Sequence, residues 1–328
     1  MSHRLPRIRH YAATPGGEVL VQRDVVRLVL HLPFDHVDLS AGVNRALDMY
    51  LSSVGQGPEI LSEWCDVEGE DDLFPLDAQG WDFIRSELSP PRGERFLDDV
   101  RDDERYVLRR VKKQFDRSVE LSGGEGGLSG YGFFYWGRLP WRTPQADEVS
   151  LVSFSWPTEY MEARGSGKMR AEIEQLAALL PYASGHAGLA FYSSSVWGPV
   201  MKDIHEEALR YPGLDVTHGQ RALGARVDGV HWLNFLGPEV LVQVGGAEAL
   251  RSRLHAPTTT VTALEEERAL VVLSPEPEAG DVSQGNTLPA WRELARVLEP
   301  WLLPFPHYLS WRDCPPDTAR RWWRRFLD

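Results

Sequence analysis

An α+β fold, with a mainly antiparallel sheet of paired strands and helices packed on it, is predicted by three features of the chain. Strand-like runs come in adjacent pairs, as in "YGFFYWGRL" and "EVSLVSFSWP". Helical segments lie between the pairs rather than between single strands, which argues against a strict βαβ alternation. The 328 residues are 42% hydrophobic and 25% charged, the balance of a globular protein able to bury its own core. Residues 1–22 read as a loose basic lead-in and 23–328 as a single domain. The Gly-rich "SGGEGGLSG" at 122–130 offers the one internal boundary.

Each element follows from local pattern. "DVVRLVLHLPFD" is β-branched and apolar and stops at Pro33, so a strand is expected. After Asp38 and Ser40, both suited to N-caps, Val43, Leu47, Tyr50 and Leu51 fall on one face of a helix ending near Gly55. An acidic stretch bounded by Pro58 and Pro75 comes next. "AQGWDFIRSEL" and the charge-rich "ERFLDDVRDDERYVLRRVKKQFDRSV" read as helices. The clearest helix is "GSGKMRAEIEQLAALLP", where Met169, Ile173, Leu176, Ala177 and Leu180 recur at helical spacing before Pro181. "SGHAGLAFYSS" reads as a strand and "GPVMKDIHEEALRYPG" as a helix closed by Pro212-Gly213. "VHWLNFLGPEVLVQVGG" suggests strand, turn and strand. A short helix at "AEALRSRLH", a hairpin at "TTTVTALEEERALVVLSPE", a long helix at "LPAWRELARVLEPWLL" and a short basic helix at "DTARRWWRRFLD" complete the order.

Charge bounds the partners. The net charge is −13, which disfavours nucleic acid and anionic membranes, since both are bound through basic residues. It suits a basic protein partner or solubility alone. No run approaches the roughly 18 apolar residues of a membrane span, and the basic N-terminus lacks the apolar core of a secretory signal. Cys65 and Cys314 make no disulfide framework. A cytoplasmic, reduced protein is expected.

The acids are not evenly spread. "EWCDVEGEDDLFPLD" (63–77) holds seven carboxylates, and no basic residue stands between Arg45 and Arg85. One reading makes Asp66, Glu68, Glu70, Asp71 and Asp72 a surface for a basic partner, with Trp64, Phe74 and Trp81 as its aromatic anchors. The other makes the acids a solvated loop and the aromatics core.

Signals for chemistry are weak throughout. "GGEGG" lacks the Lys-Ser/Thr of a phosphate loop, no GxSxG elbow is present, and no GxGxxG follows a strand. Asp35, His36 and Asp38 form one tempting metal trio, but at a strand-to-helix turn, where Asp commonly caps. His205, Glu206 and Glu207 form another, but Leu209 stands where a zincin needs its second His. His186 and His231 sit in apolar strands, where most histidines are satisfied core residues. No cofactor or metal is expected.

The series "LPYASGHAGLAFYSS", "RYPGLDV", "LGARVDGVHWLNFLG" and "VGGAEALRSRL", with the early "VVRLVLHLPF", resembles the bacterial type VI secretion immunity family. That family, TsiV-like, is associated with protection against VRR-type nuclease effectors. The resemblance covers roughly residues 25–255 through structural Gly, Pro and aromatic positions, so it carries no contact residue onto the acidic stretch. It implies a non-enzymatic antidote that binds a cognate effector toxin and covers its active site. A homodimer stays open. The alternatives are a metal-dependent enzyme at one of the two trios, or a scaffold protein of a secretion or phage-like apparatus.

Overall fold

The computed structural model describes residues 5–65, 73–90, 116–139, 147–193, 201–217, 219, 221–305, 311 and 314–328. Within them the strands are β1 (Arg9–Thr14), β2 (Gly17–Leu32), β3 (Glu63–Cys65), β4 (Phe74–Pro75), β5 (Arg117–Ser122), β6 (Gly132–Gly137), β7 (Ser150–Pro157), β8 (Ser184–Ser193), β9 (Leu233–Leu236), β10 (Thr260–Leu264) and β11 (Arg268–Val272). The helices are α1 (His36–Val54), α2 (Ala78–Glu87), α3 (Thr158–Arg164), α4 (Ser166–Ala178), α5 (Met201–Arg210), α6 (Pro238–Gln243), α7 (Gly246–Ser252), α8 (Pro289–Leu298) and α9 (Thr318–Trp323). All the strands join one sheet in the order β10-β11-β9-β8-β2-β7-β6-β5-β3-β4, with β1 hydrogen-bonded to the start of β2. The mixed α+β class is as expected. No helix among the described residues is long and apolar enough to cross a membrane.

Strand β2 organises the sheet. It is flanked by β7, with Leu28 opposite Phe154, and by β8, with Val29 opposite His186. Because side chains alternate across a strand, Val26, Leu28, Leu30 and Leu32 enter the main core while Arg27, Val29 and His31 face the other way. Both faces of β2 are buried, so its second face must satisfy its polar groups internally.

Helix α1 covers the apolar face. Leu39, Val43, Ala46, Leu47, Tyr50 and Leu51 are buried at helical spacing, each large side chain contributing roughly 1.5–3 kcal/mol of burial. Tyr50 pins the helix to the sheet: its hydroxyl donates to Ser155 O at 2.7 Å and accepts from Gly132 N at 3.1 Å. Helix α4 packs beside α1 through Met169, Ile173, Leu176 and Ala177. A Cβ on Gly42 would lie 3.0 Å from Leu179 O, just past the end of α4, so a larger residue there would push the two backbones apart by a few tenths of an ångström.

Several expectations are corrected. Residues 9–22, read as lead-in, form the β1–β2 hairpin. The N-cap of α1 is Asp35, not Asp38 or Ser40, and its carboxylate pairs with Arg138 at 3.0 Å instead of capping. The Gly-rich 122–130 joins β5 to β6 within one sheet. Residues 117–119, read as the end of a helix, begin strand β5; residues 91–115 lie outside the described part. "PEVLVQ" is helix α6 rather than a strand, since Gly237 and Pro238 supply a helix start that outweighs the β-branched run.

Candidate functional site

At one end of the sheet, three aromatic rings are stacked and partly open to solvent. β3 is short and pairs with β5 on one side and β4 on the other. Trp64 of β3 stacks on Phe74 of β4 (4.8 Å, planes 27° apart) and on Phe83 of α2 (4.3 Å, 24°). Phe74 is 43% exposed, Phe83 38% and the adjoining Leu73 50%. Helix α2 can approach because residue 80 is glycine: a Cβ there would lie 2.7 Å from Pro75 O and 3.0 Å from Trp64 Nε1. Its start is capped by Asp77, whose carboxylate accepts from Gly80 N at 2.9 Å. That acid of the run is therefore structural.

Of the anchors named from sequence, Trp64 and Trp81 are half-buried against the core and Phe74 is exposed. Trp81 lines a separate cleft of about 430 Å³ with Leu51, Leu61 and Leu76. Phe83 was missed, although "WDFI" carries its aromatic signal. Asp66, Glu68, Glu70, Asp71 and Asp72 lie outside the described residues; in the chain they connect β3 to β4.

Neither metal trio converges. His36 is buried in the core, its Nε2–H donating to Ser89 O at 2.9 Å and its Nδ1 accepting from Tyr135 Oη at 3.0 Å. Burial lowers its pKa to about 4, so it is a neutral packing residue. Asp35 is taken by Arg138. His205 lies flat on Trp311 (4.0 Å, 9°) with Cys314 Sγ 3.7 Å away, while Glu207 turns to His10 at 2.7 Å.

A buried polar cluster on the second face of β2 was not anticipated. Arg27 donates to Asp215 at 3.0 Å and to the carbonyl of Thr217, and Asp215 also accepts from Thr217 N (2.8 Å) and Thr217 Oγ1 (2.7 Å). Burial alone would raise the Asp215 pKa; the Arg27 guanidinium, with His186 and His231, instead holds it well below the usual carboxylate range. His186 Nε2 lies 3.6 Å from Asp215 Oδ2, and its ring stacks on His231 at 3.8 Å with planes 14° apart. Burial, then His186, keeps His231 well below its ordinary value and so neutral.

His186, Asp215 and His231 are metal-ligand types within 4.8 Å of one another. The geometry is nevertheless wrong for a shared ion. Imidazole ligands bind through in-plane lone pairs at about 2.1 Å, and rings stacked face to face do not aim those lone pairs at one point. Asp215 is moreover already committed to Arg27 and Thr217. The cluster is a charge-compensated polar core, in line with reading His186 and His231 as core residues.

Comparison with known proteins gives two findings. The family model described as TsiV, type VI immunity for VRR-NUC, matches residues 42–326. A Pseudomonas aeruginosa T6SS protein, PA0821, shares the fold, with a TM-score of 0.71 over 98% of this chain and 88% of that one at 18% identity. No curated protein matches the sequence.

Proposed function

The chain belongs to the type VI immunity family for VRR-NUC, and on that premise we propose that it protects by binding its effector directly and covering the active face, with no chemistry of its own. The observation that carries this reading is the partly exposed Phe74–Trp64–Phe83 stack at the end of the sheet, formed by residues that flank the densest run of acids along the chain. A nuclease presents basic groups to the phosphate backbone. An inhibitor that meets them with carboxylates gains association rate and specificity, while desolvated aromatic anchors supply most of the affinity. In this proposal Phe74 and Phe83 are the anchors, Trp64 is the half-buried support that holds them, and Trp81 lines the neighbouring cleft. Asp66, Glu68, Glu70, Asp71 and Asp72 provide the charge.

The test is titration of the purified effector against variants of this chain. Phe74→Ser with Phe83→Ser should weaken binding at least about tenfold at little cost to stability, because both rings are already partly solvated. Replacing Glu68, Glu70, Asp71 and Asp72 by amides should slow association and flatten its dependence on salt. Native-like affinity and salt slope in both variants would exclude this surface.

A further inference from the structure

Beneath the C-terminal segment lies a cleft of about 710 Å³ whose floor includes Asp215, Asp228 and His231 and whose walls include Phe305, Trp322 and Trp323. It is remote from the aromatic stack, since β8, on which the polar cluster rests, stands five strand spacings from β3, roughly 24 Å.

The floor holds an unresolved requirement. Asp228 has a side chain only 3% exposed, and neither carboxylate oxygen has a hydrogen-bond partner among the described residues. His31 Nε2, also buried and without a hydrogen-bond partner among the described residues, lies 3.9 Å from its Oδ2. The His31 ring sits beside Ser184. The Ser184 hydroxyl donates to Arg226 O at 2.9 Å, so towards His31 Nδ1, 3.5 Å away, it can only accept. Burial lowers the His31 pKa to about 3, which keeps the ring neutral. The Asp228 carboxylate is thus left without a hydrogen-bond donor among the described residues, and buried acceptors left unpaired are costly.

We infer that the cleft floor at Asp228 is a binding site for an alkylammonium or guanidinium group, whose N–H donors satisfy the unpaired carboxylate oxygens and whose charge meets theirs. The walls already suit such a group. Arg325 holds its guanidinium 4.1 Å from the Trp322 ring while donating to Pro212 O, so a planar cation on an aromatic face is native to this cleft. Arg324 is occupied by Glu299 and Asp328, and at the rim Glu299 and Asp317 offset Arg226 and Arg320. The groups whose charge bears on Asp228 are His186, Asp215, Arg27 and Arg325. Arg27 is already bonded to Asp215, which leaves Asp228 as the carboxylate without a bonded counter-ion. This inference does not depend on which surface meets the effector.

Calorimetric titration of the full chain with methylguanidinium chloride at pH 7.5 should show saturable binding of one equivalent, weakened at least tenfold in Asp228→Asn. Lowering the pH from 7.5 to 5 should weaken binding to the native chain as Asp228 takes up a proton; this series serves even if the variant does not fold. Absence of saturable binding, undiminished binding by Asp228→Asn, or a flat pH series would overturn the proposal. Repeating the effector titration in saturating methylguanidinium then separates two sources of the cation. Competition identifies a basic side chain of the effector, and independence identifies a free small amine.

Discussion

Asp228→Asn should stabilise the folded chain, by an amount that grows with pH. Burial raises the Asp228 pKa from 3.8 to about 6, so ionising this carboxyl costs more in the folded state than in the unfolded one. Between those values the folded chain holds a proton that the unfolded chain has lost, and stability falls as pH rises. A shift of about two units corresponds to roughly 3 kcal/mol once both states are ionised. Asparagine carries no charge and keeps the shape of the side chain. The difference in unfolding free energy, variant minus native, should therefore be near zero at pH 4 and climb to about 2–3 kcal/mol above pH 6.5. Urea titrations followed by tryptophan fluorescence at pH 4, 5, 6, 7 and 8 would measure it. The difference is more telling than either curve. His31, His36 and His231 are all held neutral by burial and must charge on acid unfolding, which gives the native curve an opposite slope below pH 6.5. A variant less stable than the native chain at pH 7, or a difference that does not change with pH, would show that the carboxylate is compensated and that the reasoning fails. A gain would mean that the native residue is retained at a cost to stability, as binding residues often are.

Asp215→Ala should cost about 3–5 kcal/mol, because it strands the buried Arg27 guanidinium; the double variant Arg27→Met, Asp215→Leu should recover most of that in the same urea assay. Tyr50→Phe should cost about 1–3 kcal/mol through loss of the bonds to Ser155 O and Gly132 N. Gly80→Ala should disturb the Trp64 stack and cost about 1–3 kcal/mol. Its signature would be a changed near-UV circular dichroism spectrum and weaker effector binding, with the far-UV spectrum unaltered.

The fold class was legible because paired β-branched runs and strongly periodic helices each state their own period. Met169, Ile173, Leu176 and Ala177 are buried along α4 as their spacing implies. Strands β3 and β4 were not legible: three residues and two residues carry no period, and they exist only because β5 and the aromatic stack hold them. The polar cluster was hidden for another reason. Arg27 and Asp215 stand far apart in the chain and meet only through the pairing of β2 with β8. A partial signal was present in "VVRLVLHL". Arg27 and His31 interrupt an apolar run at a spacing of four, which places both on one face of the strand and marks that face as polar though buried. Sequence could name the aromatic anchors Trp64 and Phe74 as interface or core. The structure separates the two: Phe74 is exposed, while Trp64 is half-buried against the core.

The central position of β2 has a consequence for how the antidote is made. This sixteen-residue strand is translated more than a hundred residues ahead of β7 and β8, its long partners. At ordinary elongation rates the nascent strand waits roughly ten seconds for them, with β1 and the next element α1 made but its long edges unpaired. Until then both long edges of β2 lie open to mispairing, and the sheet can close only once β8 has been made.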